Sequence, residues 1–133
     1  MRALGKWFAV LLLAGMAGTV GAAKKADYSA IHRLTVDVLL GQDSVELANG
    51  PAAAFAAGLQ TKKSLESHIG AALAAAKKKP DLLKATKELY VAATSYFENA
   101  APTSLIDAAN SKHAKATMDE KRTALELELK LVE

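Results

Sequence analysis

Apolar residues recur along this chain at helical spacing in four stretches separated by turn signals. In the first, Tyr28, Ile31, Leu34, Val38 and Val45 lie one or two turns apart, predicting an amphipathic helix that begins near Asp27. Asn49-Gly50-Pro51 closes it, because Gly50 supplies a left-handed C-cap position and Pro51 can start a helix but not continue one. Gly41-Gln42-Asp43-Ser44 offers an earlier break, with Asp43 or Ser44 capping a short second piece. The second stretch runs from Pro51 to about Lys78, with a buried stripe predicted at Phe55, Leu59, Leu65, Ile69, Leu73 and Ala76. Its many alanines favour helix and let neighbouring helices approach closely.

Pro80-Asp81 restarts the chain in a third helix reaching about Ala100, where Leu82, Leu89, Ala93 and Tyr96 form one row and Leu83, Tyr90 and Phe97 a second. Ala101-Pro102-Thr103-Ser104 is the next turn, with Thr103 or Ser104 as N-cap. A fourth helix then runs almost to Glu133 and is apolar on two sides. Ile106, Ala109, Ala116, Ala124, Leu127 and Leu131 share one face and are expected in the core, whereas Met118, Leu125, Leu129 and Val132 lie opposite, as a candidate interface. Leu125-Glu126-Leu127-Glu128-Leu129-Lys130-Leu131 also alternates with the period of a strand, as does Leu34-Thr35-Val36-Asp37-Val38. Helices plus a short terminal strand pair are therefore the alternative to four helices, although a lone two-stranded ribbon is marginal. The expected fold is all-α: an up-down-up-down four-helix bundle, each helix antiparallel to its sequence neighbour.

Before these helices comes a different pattern. Arg2 and Lys6 precede the apolar run Trp7 to Ala14, followed by small residues ending in Val20-Gly21-Ala22-Ala23. That is the shape of a secretory signal peptide over residues 1–23, cut after Ala22 or Ala23. Its strongly apolar core is short of the roughly 20 residues a spanning helix needs. The expectation is an exported domain over residues 24–133, in the periplasm first and secreted as the alternative. With no cysteine in the chain, neither a lipid anchor nor a disulfide can hold it.

Processing changes the charge. Of 17 basic side chains, Arg2 and Lys6 leave with the leader, so 15 remain against 14 acidic ones, a net of +1. Folded antiparallel, the chain gathers acids at one end, with Asp43, Glu46, Glu98 and Asp107 as a candidate acidic pole free of bases. Lys24, Lys25, Lys77, Lys78 and Lys79 form a candidate basic pole at the other. The lysine triplet suits the negative end of a helix dipole, and without interleaved aromatics or an overall basic balance it does not predict nucleic-acid binding.

No motif supplies catalysis or a cofactor. His32, His68 and His113 fall on three helices at heights of roughly 8, 15 and 27 Å from one pole. They cannot converge on one metal ion and read as surface or boundary residues. Haem-attachment, di-iron, nucleophile-elbow and phosphate-loop patterns are absent from the sequence. The function expected is non-enzymatic protein–protein binding, of inhibitor, immunity, adaptor or chaperone type, to a protein partner or to copies of itself. The alternatives are a bundle holding a small apolar ligand and envelope-surface contact through the basic pole.

Overall fold

Pro51 and Pro80 each stand in the first turn of a helix, where a missing N–H costs nothing. In the computed structural model, which describes residues 27–100 and 105–133, they open α2 (Pro51–Ala76) and α3 (Pro80–Glu98). These lie between α1 (Ser29–Glu46) and α4 (Leu105–Val132) in an all-α four-helix bundle whose helices pack on their sequence neighbours. The expected leader, Lys24, Lys25 and the expected caps Thr103 and Ser104 lie outside the described residues. Both alternating segments are helical, so the strand-pair alternative falls.

Two local expectations are corrected. Gly41-Gln42-Asp43-Ser44 does not break α1, since Ser44 Oγ donates to the Leu40 carbonyl at 2.9 Å within a continuous helix. Gly50 has a positive φ of 92°, but with ψ at 170° it is the N-cap of α2 and not a left-handed C-cap. The end of α1 is closed by Leu47, whose N–H donates to the Asp43 carbonyl at 2.9 Å.

Direction follows from pairwise contacts. From Asp37 to Gly41 along α1, the partners on α2 run backwards from His68 to Thr61. Gly58 in α2 abuts the Phe97 carbonyl and the Ala100 methyl at the end of α3, while Lys77 to Lys79 join the other ends. Ile31, Leu34 and Val38 of α1, Leu65 and Ala72 of α2, Leu82, Leu89 and Phe97 of α3, and Met118, Leu125 and Leu129 of α4 fill one core. Among the described residues the buried polar side chains are threonines, each satisfied locally. Thr35, Thr61 and Thr86 donate to the carbonyls of His32, Ala57 and Leu82 at 2.7, 2.8 and 2.7 Å.

In α4 the two faces are exchanged relative to expectation. Met118, Leu125 and Leu129 are fully buried, while Leu127 and Leu131 remain 59% and 73% exposed. Beyond Ile106 the larger side chains lie on the buried stripe, because the opposite face carries Ala109, Ala116 and Ala124 until its last two leucines. In α2, Phe55 and Leu59 are exposed rather than core: Phe55 precedes Gly58, which already stands level with the end of α3, and Leu59 lies about 100° around the helix from Gly58, off the buried face.

These contacts give opposite signs to two similar substitutions. Gly70 in α2 has open space around it, so Gly70→Ala should stabilise by about 1 kcal/mol through helix propensity. Gly58→Ala gains the same propensity but drives a methyl into a backbone carbonyl, and overpacking of about 1–3 kcal/mol should leave a net loss. Urea midpoints of the two variants test this. Likewise Leu129→Ala should cost about 2–5 kcal/mol, and Leu131→Ala no more than about 0.5 kcal/mol, by the same measurement.

Candidate functional site

Helix α1 carries apolar residues on two opposite faces. Ile31, Leu34 and Val38 point inward with no exposed surface. On the far side, Val36, Leu39, Leu40 and Leu47 are 46%, 40%, 61% and 82% exposed. Counting 100° per residue, Val36, Leu40, Asp43 and Leu47 fall within about 60° of one another, with Leu39 and Arg33 flanking them. These aliphatic side chains form a stripe left open to water on the outer ridge of the helix. Arg33 and Asp43, both exposed, have no ion-pair partner among the described residues.

The residues expected at functional sites are placed differently. Met118, Leu125 and Leu129 belong to the core, and Val132 packs half-buried against it, so this stripe is not a free surface. The acidic end is not free of bases. Lys115 pairs with Glu46, and Lys62 with Glu98 at 3.0 Å, because flexible lysine stems reach along the bundle from lower turns. Asp43 stays exposed, and Asp107 lies in α4 with its side chain outside the description. Lys77, Lys78 and Lys79 are exposed at the α2–α3 turn, where the Lys77 N–H donates to the Ala74 carbonyl at 3.3 Å.

Two histidines tie α1 to its neighbours. His32 Nε2 lies 2.7 Å from Glu133 Oε2, joining the first turn of α1 to the end of α4, and His68 of α2 bonds Asp37 of α1 through Nδ1. His113 is exposed on α4. Among the described residues, no group of three or more metal-ligating side chains could hold an ion, and no helix is long and apolar enough to cross a membrane.

No known protein family, curated protein or solved structure matches the chain. Function therefore has to be argued from these surfaces.

Besides the α1 ridge, two concavities lie among the described residues. A groove of about 580 Å³ runs between α3 and α4, floored by Val91, Ala92, Ala114 and Thr117 and edged by Lys87, Lys121, His113 and Glu88. It exists because the facing positions carry small side chains that cannot fill the space between the helices. A polar hollow of about 260 Å³ lies beside Gly41, among Asp37, Ser44, Gln60 and Ser64. The outer stripe of α1 was missed in the sequence, although the adjacent Leu39-Leu40 could not both face inward and signalled it.

The Glu46–Lys115 pair has a defined pH signature. Its hydrogen bond holds the Glu46 carboxyl below the usual range and the Lys115 ammonium above its own. The contribution of Glu46 is therefore present above the ordinary carboxylate range and lost as pH falls through its lowered value. That of Lys115 persists until pH rises past the usual lysine range. Both side chains are about two-fifths exposed, and solvent screening limits the coupling to about 0.2–1 kcal/mol. A double-mutant cycle with Glu46→Gln and Lys115→Met should read a coupling of that size at neutral pH. It should fade as pH falls below the ordinary carboxylate range, and in about 1 M salt.

Proposed function

We propose that the chain is an exported, non-enzymatic binding protein. Loss of residues 1–23 leaves an up-down-up-down bundle, periplasmic or else secreted, that engages another protein through the outer face of α1. The observation that carries this reading is the stripe Val36, Leu39, Leu40 and Leu47, exposed directly opposite the buried stripe of the same helix. A convex ridge cannot enclose a small molecule, which requires concavity, but it can enter a partner's groove as helix-in-groove complexes do. Arg33 is the one lysine or arginine between Ser29 and Thr61, so the face lacks the charge that a nucleic acid or an anionic membrane would recruit. The groove between α3 and α4 favours a second reading, a small apolar ligand, more weakly, because it is open-sided and its apolar floor is edged by charged side chains.

The test is a pair of substitutions on the exposed stripe. Leu40→Glu with Leu47→Glu should keep the helical circular-dichroism signal and thermal midpoint while abolishing association of the protein expressed from its full chain. Association is read by pull-down and by sedimentation. Unaltered association would refute the binding face. Export is checked on the same sample, whose intact mass should begin at Ala23 or Lys24 in the envelope or medium; an uncut cytosolic chain would overturn it.

A further inference from the structure

We infer that the occupant of the α1 ridge is a second copy of the same chain, packed with α1 antiparallel to α1. This rests on the reading of that face as a binding surface and names what it binds. The argument is one of self-complementarity. In a two-fold interface every contact occurs twice, so residue i of one copy meets residue j of the other and j meets i. Such a pairing of antiparallel helices is centred at one level, and residues equidistant from it oppose one another.

Four residues of the outer face of α1 satisfy this condition at the level of Val38. Arg33 and Asp43 each stand five residues from that level, and Val36 and Leu40 each stand two. A two-fold axis there sets Arg33 of one copy at the height of Asp43 of the other, about 7.5 Å from the centre on either side. It sets Val36 of one copy at the height of Leu40 of the other. Opposite charges thus flank a shared aliphatic centre at both ends. A parallel pairing would instead bring Arg33 level with Arg33 and Asp43 level with Asp43.

The state of the other charges on α1 fits this arrangement. Asp37 and Glu46 are committed to His68 and Lys115 within the chain. Arg33 and Asp43, which the two-fold brings to one height, are exposed and have no ion-pair partner among the described residues. A groove-bearing partner of another kind would need the stripe but not this symmetric spacing of one base and one acid.

The experiment is sedimentation equilibrium on the purified protein expressed from the full chain, together with four variants. The parent chain should dimerise and Leu40→Glu should be monomeric with unchanged helical signal. Arg33→Asp and Asp43→Arg should each weaken the dimer about ten-fold, since two-fold symmetry applies each reversal twice. The double variant R33D/D43R restores both pairs with their signs exchanged and should return the dissociation constant to within about three-fold of the parent. A parent that stays monomeric to about 1 mM overturns the proposal, as does a dimer indifferent to Leu40→Glu or one that the double variant does not restore. If the chain is monomeric yet captures a different protein in a Leu40-dependent way, the second copy is wrong and the binding face stands. If no association depends on Leu40, both fall.

Discussion

The bundle is pinned where α2 touches both of its neighbours at nearly the same height. Thr61 fills the space that a side chain at Gly41 of α1 would need, and Gly58, one turn away, lies against the backbone of α3 at Phe97. A methyl group at either glycine meets atoms already in place, and at Gly58 the obstacle is a carbonyl that cannot rotate aside. These two contacts fix how far each neighbour can slide along α2. Thr61 is itself held by its bond to the Ala57 carbonyl at 2.8 Å, so the contact surface is rigid.

Unequal helix lengths turn that register into exposed surface. Helix α2 has 26 residues, against 18 in α1 and 19 in α3. With Gly58 level with the end of α3, the first two turns of α2 have no α3 turns beside them. No residue from 47 to 57 is buried, and no charged residue occurs there. Phe55 is 47% exposed for this reason, whereas Leu47, at 82%, belongs to the outer stripe of α1. The apolar tip and the outer stripe of α1 meet at Leu47, so the hairpin of α1 and α2 presents most of the exposed aliphatic surface.

Much of the fold was legible because its signals are local. Pro51 and Pro80 punctuate the chain, and the core faces of α1 and α3 follow the helical period with large side chains on one side. The face of α4 was not legible in the same way. Its two stripes have similar periodicity, and only the competition between Met118, Leu125 and Leu129 and an alanine-rich alternative for the same space decides which is buried. Phe55 lies about 60° from the buried face of α2, yet whether a neighbour exists at its height is a matter of tertiary register, and Leu59 lies too far around the helix to join that face. The charge map failed for a related reason, since placing charges by backbone height ignores the reach of Lys62 and Lys115.

The two faces of α1 serve separable ends. Its inner face is held by Ile31, Leu34 and Val38, whose complete burial supplies the apolar free energy that docks the helix. The pairs His32–Glu133 and Glu46–Lys115 link it to α4, but with side chains about two-fifths to one-half exposed they contribute orientation more than stability. None of these residues is among the exposed aliphatics Val36, Leu39, Leu40 and Leu47. A change confined to the outer stripe therefore leaves every contact that docks α1 in place. A chain without cysteine keeps its core intact by packing alone, and a helix apolar on two faces can contribute to that core unaltered because its docking residues and its exposed residues form disjoint sets.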